Sequence, residues 1–381
     1  MKILIIKTVP GQINIKSYNC QEIGLALALR KKGHIADVMC TSDNGYHHEE
    51  QVELMGESIK LYCMQAIKFL KNAWLKNCDR IFNDYDILHV SEYNQVYTRH
   101  LAKKYKDKIV VFHGPYYSAF NRRYNLMAKF FDLFFLKRYK KLNTSFITKS
   151  RLAENYLRQK GLDNVQSIGV GIATSFLFDN NIKSIEIANK LQNIKGIKLT
   201  YVGVIEERRN VLFLLEILST LIKKQKKVVL ALVGQYHNKT YKERFNKKVE
   251  ELGLQNHIIY QEKIQQCDIP LLYKNSDVLL LPTRYDIYGM VLLEAMYFGL
   301  ITISTMCGGA EMMITNGENG FVIDQYDADL WSNCVIEIIQ SPEKKKLISE
   351  NARKTIAQNF TWNALSEKFI YAYQSKLGIV E

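Results

Sequence analysis

An α/β fold of two domains, each a parallel β-sheet flanked by helices, is predicted by three features of this sequence. Short apolar runs alternate with longer stretches of helical periodicity along the chain, the pattern of repeated β-α-β units. The runs form two series of similar design, separated between Gly171 and Gly196 by a stretch rich in Asn, Lys and Ser with no clear strand. A length of 381 residues is long for one core and comfortable for two.

In the first series the strand candidates are Ile3–Ile6, Ala36–Met39, Ile87–Val90, Ile109–Phe112, Ser145–Thr148 and Val165–Ile168. In the second they are Leu199–Gly203, Val228–Val233, Ile258–Gln261, Val278–Leu281, Ile301–Ser304 and Phe321–Ile323. The domains are therefore drawn at 1–175 and 196–359, with 176–195 as linker and 360–381 as a closing helix. No shorter repeat and no low-complexity tail interrupts this plan. An apolar fraction of 47% is ordinary for a globular protein.

The seven cysteines form no C-x-x-C pair and are odd in number, which points to reduced thiols rather than a disulfide framework. Met1 runs straight into K-I-L-I-I-K without signal-peptide flanks. No apolar stretch approaches the roughly 20 residues that span a bilayer. A cytoplasmic chain is expected, peripheral to a membrane at most.

Open parallel sheets bind ligands at the carboxyl ends of their strands, so the strand-to-helix turns hold the candidate chemistry. No G-x-G-x-x-G follows Ile3–Ile6, where only Gly11 occurs, and no G-x-x-x-x-G-K-[ST] is present. No D-x-D and no His/Cys cluster with metal spacing occurs, so nothing calls for a metal. The most informative turn is Pro282–Met296, P-T-R-Y-D-I-Y-G-M-V-L-L-E-A-M. Here Gly289 is expected to open a helix near Met290, leaving Asp286 in the loop and Glu294 inward, one turn up. A carboxylate among M-V-L-L-E-A-M needs partners, because an unpaired buried charge is costly. Vicinal ribose hydroxyls would supply two donors. The helix start itself offers free N–H groups and a positive dipole end, a seat for phosphate. A capped helix with a solvated glutamate is the plainer alternative.

This segment resembles the nucleotide-sugar signature of the family 4 glycosyltransferases, retaining enzymes of the GT-B fold. The family pattern is Glu, seven residues, Glu, then an Ala-Met-rich helix, Gly, a strand and Gly-Gly. The sequence supplies Asp286, Glu294, Ala295, Met296, Gly299, Ile301–Ser304 and Gly308-Gly309, with aspartate in place of the first glutamate. The resemblance extends through Asn316 to Val322, through Asp268 to Tyr273, and through Ser276-Asp277-Val278. It implies two Rossmann-like domains with parallel sheets facing a central cleft. The amino-terminal domain would take the acceptor and the carboxy-terminal one the nucleotide sugar. Gly171-Ile172 and Phe176 are similar to the family's linker, and Phe360-Thr361-Trp362 to its returning helix.

The resemblance also implies roles. Of the family's basic pair, which grips the donor diphosphate, the lysine falls on Arg209 after Gly203, while Val204 stands where arginine is common and Arg208 is the candidate to compensate. Asp286 would hold sugar hydroxyls and Glu294 the ribose, with Tyr288, Gly289, Met290 and Val291 around the diphosphate. His113, after Ile109–Phe112, is similar to a family histidine near the transferred sugar. Lys16 and Ser17 replace the family's usual Gly-Gly, so Lys16, Ser17 and Asn19 are acceptor-side candidates. No cofactor is implied beyond the nucleotide-sugar donor.

Formal charge is +14 and uneven: residues 1–175 hold 27 Lys and Arg against 15 Asp and Glu. The excess concentrates between Ala119 and Lys141. There Phe130, Phe131, Phe134 and Phe135 lie at helical spacing, flanked by Arg122, Arg123, Lys137 and Arg138. Such a helix suits an anionic membrane interface, or else a buried aromatic face with basic ends. The reading is a retaining, metal-independent glycosyltransferase that moves a hexose-type sugar to a glycan or lipid-linked acceptor in cell-surface polysaccharide synthesis, at the inner face of the membrane. A nucleotide-sugar epimerase of the same architecture is one alternative. A basic nucleic-acid binder is another, though no nucleic-acid motif supports it.

Overall fold

The computed structural model describes residues 1–15, 20–69, 72–174 and 185–380. The chain divides into two compact units, Met1–Ser175 with Phe360–Glu381, and Phe176–Asn359.

The first unit runs β1 (Lys2–Ile6), α1 (Gln21–Lys31), β2 (Ile35–Thr41), β3 (His48–Leu54), β4 (Glu57–Met64), β5 (Ala66–Phe69), β6 (Asn72–Leu75) and α2 (Asp79–Asn83). It continues with β7 (Ile87–Ser91), α3 (Val96–Lys104), β8 (Ile109–His113), α4 (Arg122–Lys141), β9 (Ser145–Thr148), α5 (Arg151–Gln159) and β10 (Val165–Ser167). Its main sheet has the order β10-β9-β8-β7-β1-β2-β4-β3, parallel except for β3 against β4. The strand order reverses between β1 and β7. All six strands expected here form: β1, β7 and β8 are one residue longer than drawn, β2 three longer, β9 as drawn and β10 one shorter.

The β3–β4 hairpin and the small β5–β6 ribbon were not expected. Polar residues fill β3, which carries mostly exposed side chains at the sheet edge and so lacks an apolar run.

The second unit runs α6 (Glu186–Gln192), β11 (Ile197–Val202), α7 (Val211–Lys223), β12 (Val228–Val233), α8 (Lys239–Glu251), β13 (Ile258–Gln261), α9 (Ile269–Lys274) and β14 (Val278–Leu281). There follow α10 (Met290–Tyr297), β15 (Ile301–Ser304), α11 (Gly308–Met313), β16 (Phe321–Val322), α12 (Ala328–Gln340) and α13 (Pro342–Asn359). Its all-parallel sheet has the order β13-β12-β11-β14-β15-β16, reversing between β11 and β14. Strands β12, β14 and β15 are buried along their whole length, as apolar runs in a parallel sheet should be.

The stretch 176–195 is not wholly a linker. Helix α6 lies within it and belongs to the second unit, where Ile185, Ile187, Ala188 and Leu191 pack against β12 and Leu272. Seven residues with three apolar positions give too short a period to stand out in the sequence.

The last helix, α14 (Trp362–Lys376), completes the first unit and packs along α1. Trp362 fits only because two glycines yield to it. A Cβ on Gly24, within α1, would lie 2.2 Å from its indole nitrogen, and one on Gly171 would lie 2.6 Å from its backbone nitrogen. Glycine inside α1 costs about 1 kcal/mol of helix propensity, which the buried tryptophan offsets. Farther along, the Tyr373 hydroxyl lies 2.8 Å from Nδ1 of His89 on β7. Both groups are buried.

Burial, with a smaller contribution from Lys149, pushes the His89 imidazole down to about 3, so it is neutral in the folded chain. Its unfolded counterpart protonates near the ordinary value of about 6.5, so the unfolded chain gains a proton first as pH falls. Stability contributed by neutral His89 is therefore full above about pH 6.5 and declines toward pH 3, at about 1.4 kcal/mol per unit. In urea unfolding, lowering the pH from 6.5 to 5 should cost wild type about 2 kcal/mol more than His89→Gln. Equal pH dependence in the two proteins would refute this account.

Candidate active site

The candidate site of the second unit lies where its strand order reverses, at the carboxyl ends of β11 and β14. In open parallel sheets this is where two strand-to-helix turns diverge and leave a crevice. After β11 the chain passes Gly203, at φ 146°, into a short turn at Glu207–Arg209. Asn210, left-handed at φ 54°, then starts α7. Gly234, after the neighbouring β12, must be glycine: a Cβ there would sit 1.8 Å from the Gly203 carbonyl oxygen. Val204 is partly exposed and contributes its carbonyl, which accepts the Tyr201 hydroxyl at 2.8 Å.

The turn after β14 is tied to this one. The Arg284 N–H donates to the Arg208 carbonyl at 2.9 Å, and Arg208 Nη1 donates to the Tyr285 carbonyl at 2.8 Å. Arg208 Nη2 also binds Glu206 at 2.6 Å. At the centre Arg209 Nη1 pairs with Asp286 Oδ2, both side chains mostly buried. Burial opposes the charge of Arg209, but Asp286 outweighs it and holds the guanidinium above its ordinary value. The Nε–H of Arg209 is buried and makes no hydrogen bond among the described residues. An unsatisfied buried donor is uncommon and marks a place for a ligand acceptor.

Gly289, at φ 81°, serves as N-cap of α10, which begins at Met290 as expected. No side chain caps this end and no acid lies in the first turn. Met290 and Val291 are partly buried here and Tyr288 is buried. The start of α11 presses close: a Cβ on Gly309 would lie 2.0 Å from the Tyr288 carbonyl oxygen. Glu294 is 3% exposed on the inward face of α10, with the Tyr273 hydroxyl 3.5 Å away. Thus Gly203, Arg208, Arg209, Asp286, Tyr288 and Gly289 all belong to the two turns, with Glu294 one helical turn beyond.

In the first unit a second buried pair sits beside the strand reversal, at the carboxyl ends of β7 and β8. His113 ends β8, fully buried, with Nδ1 2.7 Å from Glu92 Oε2. The Gly114 N–H reaches the same oxygen at 3.4 Å. Burial opposes ionisation of Glu92, yet His113, Lys149 and that N–H hold its carboxyl below the ordinary value. Glu92 has φ 58°, a conformation costing a non-glycine residue about 1 kcal/mol, and such strain concentrates at functional sites. His113 Nε2 is buried without a hydrogen-bond partner among the described residues.

Beside Glu92 lies a cavity of about 360 Å³, lined among others by Val9, Gln95, Tyr124 and Met127. Gln95 is 8% exposed, and its Oε1 has no partner among the described residues.

Glu92, Thr283 and Gly234 were missed in the sequence. Thr283, fully buried, sets its hydroxyl between the Arg208 and Tyr285 carbonyls. Glu92 and Gly234 follow β7 and β12 directly, and Thr283 follows β14 after Pro282, a positional signal that was available. The acceptor-side candidates Lys16, Ser17 and Asn19 lie outside the described residues.

The membrane candidates are corrected in part. In α4, Phe131 is buried and Phe135 half-buried against the core around Tyr93 and Tyr139, leaving Phe130 and Phe134 exposed. A helix on a sheet must give one face to the core, so four adjacent rings cannot all face outward. Arg122, Arg123, Lys137 and Arg138 are exposed.

The model for "Glycosyl transferases group 1" matches residues 183–355, and that for "Glycosyltransferase Family 4" matches residues 23–176. Spore coat protein SA of Bacillus subtilis is 24% identical over 179 residues, covering 46% of this chain and 48% of that protein. A D-inositol 3-phosphate glycosyltransferase of Corynebacterium urealyticum is 22% identical over 126 residues, 33% of this chain and 30% of its own length. The chain thus spans about half or less of these curated relatives. A Rickettsia africae glycosyltransferase structure superposes with a TM-score of 0.72 at 20% identity, covering 99% of both chains. Anabaena HepE in complex with UDP and glucose gives 0.68 at 16% identity, covering 98% of this chain and 100% of that one. At such identities the likeness establishes the fold, which is GT-B.

Asp286→Ala should destabilise the protein by about 3 kcal/mol in urea unfolding, because Arg209 is left buried and unpaired. Adding Arg209→Met should restore at least half of that loss. Independent, additive effects would show that the two side chains are not a coupled pair.

Proposed function

Since the chain belongs to the glycosyltransferase superfamily of the GT-B fold, we propose that it moves a hexose-type sugar from a nucleotide diphosphate to a hydroxyl of a glycan or lipid-linked acceptor. The anomeric configuration is retained, and the product contributes to cell-surface polysaccharide. The observation that carries this reading is the desolvated Arg209, paired with Asp286, beside the uncapped start of α10 at the strand reversal.

A buried guanidinium with an unused N–H binds a phosphate oxygen strongly, because little water competes for it. The free N–H groups after Gly289 add partial positive charge at the other side of the same anion. Together they stabilise the diphosphate as the anomeric carbon–oxygen bond breaks and the sugar becomes oxocarbenium-like. In this role protein cations serve where other enzymes use a metal. Asp286 orients Arg209 and takes the sugar hydroxyls, while Glu294 takes the ribose. In the first unit His113, held by Glu92 through Nδ1, offers Nε2 to a substrate hydroxyl. The departing phosphate accepts the proton of the acceptor hydroxyl. The complexes of HepE with UDP and glucose, of a trehalose-6-phosphate protein with UDP-2-fluoroglucose and of a starch synthase with ADP support a nucleotide-diphosphate donor.

The test is thermal stabilisation of the purified protein by a panel of UDP-, GDP- and ADP-sugars. One nucleotide should raise the melting temperature by several degrees at saturation, and Glu294→Ala should abolish the shift. No shift from any member would count against the donor site. In steady-state kinetics with that donor, Glu294→Ala should raise its KM at least about tenfold, and Asp286→Ala should lower kcat by about 100-fold. Wild-type constants in both variants would remove these assignments.

A further inference from the structure

We propose that the outward face of α4 docks the protein on an anionic membrane surface. The face is built for neither water nor the core. Leu126 (58% exposed), Phe130 (59%), Leu133 (74%) and Phe134 (70%) form one stripe at positions i, i+4, i+7 and i+8. Met127 (43%) borders it, and Phe120 (54%), just before the helix, extends it. Contiguous exposure of large apolar side chains on this scale marks an interaction surface.

Charge selects the partner. Arg123, Lys137 and Lys141 lie within the stripe at its two ends, and Arg122, Lys129, Arg138 and Lys140 lie along its flanks; all seven are exposed. None of them has an ion-pair partner among the described residues. The single acid of the helix, Asp132, points inward to Lys160 and the Tyr93 hydroxyl. A second copy of this chain would bring the same cations face to face, which like-charge repulsion opposes. An anionic lipid surface takes both parts of the pattern: acyl chains receive the convex row of rings, and headgroups receive the cations. No helix among the described residues is long and apolar enough to cross a membrane.

The same face reaches the cavity beside Glu92, because Arg123 and Met127 line that cavity as well as the stripe. Docking therefore sets the cavity mouth at headgroup depth, where the buried Gln95 Oε1 can receive a hydroxyl of an amphiphile's head. The use of docking for acceptor supply rests on the transferase reading; the docking itself does not.

The experiment is co-sedimentation of the full chain with vesicles of phosphatidylcholine alone or with one-third phosphatidylglycerol, at low and high salt. Binding is expected to the anionic vesicles only and to weaken with salt. Phe130→Ser with Phe134→Ser should reduce it at least about tenfold. Lys137→Glu with Lys141→Glu should remove the preference for anionic lipid. All these positions are exposed, so the variants should keep wild-type melting temperatures and nucleotide-sugar shifts, which separates loss of docking from loss of the donor site. Tryptophan fluorescence of Met127→Trp should be quenched by lipid brominated near its headgroup. Absent binding, equal binding to both vesicle types, binding untouched by the serine pair, or an unquenched Trp at 127 would each overturn the proposal. So would a stable dimer that the serine pair dissociates.

Discussion

The chemistry available to this protein depends on one buried ion pair. Arg209 and Asp286 come from turns 77 residues apart and meet where the second sheet reverses its strand order. Neither charge is stable there alone, since burial of an unpaired ion costs several kcal/mol. Pairing them stitches the β11–α7 turn to the β14–α10 turn, and the bonds from the Arg284 N–H to the Arg208 carbonyl and from the Arg208 guanidinium to the Tyr285 carbonyl reinforce the seam. The result is a cation held rigidly with one donor still unused. Rigidity of that kind matters for transfer chemistry, because preoriented dipoles stabilise developing charge without reorganising.

Close backbone approach makes this geometry possible. Gly234 lets β12 end against the Gly203 carbonyl, and Gly309 lets α11 start against the Tyr288 carbonyl. Each glycine removes a Cβ that would lie within 2 Å or so of an oxygen. The same device operates in the first unit for a different end. There Gly24 and Gly171 admit Trp362, which fastens the chain terminus to α1, while His89 and Tyr373 join α14 to the sheet. Small residues thus decide where elements can touch, and buried polar pairs decide how they are oriented once they do.

Helix α4 shows how one element can serve two media. Its inward side gives Phe131, Tyr139 and Ala128 to the core and keeps its only acid satisfied. Its outward side keeps rings and cations together without an acid to neutralise them. A helix whose sole task was to cover the sheet would carry polar residues there, since exposed aromatic rings bring no stability to a soluble surface. The combination is what the proposed docking on an apolar and anionic surface would use.

Much of the architecture was legible in the sequence. Buried parallel strands must be continuous apolar runs, so Val228–Val233, Val278–Leu281 and Ile301–Ser304 announced themselves with correct ends. The start of α10 at Met290 was equally legible, because Gly289 tolerates the left-handed backbone that a side-chain-free cap requires. Edge strand β3 and short helix α6 were not, since polarity in one and brevity in the other leave no periodic signal. The residue types of the site could be read from the turn Pro282–Met296 and the pair Arg208-Arg209. Which of these would meet could not. Contact between residues distant in sequence is set by strand order, and strand order is decided by how whole sheets pack. For that reason the tertiary structure alone brought Arg209 to Asp286, gave His113 its Glu92, and divided the four phenylalanines of α4 between core and surface.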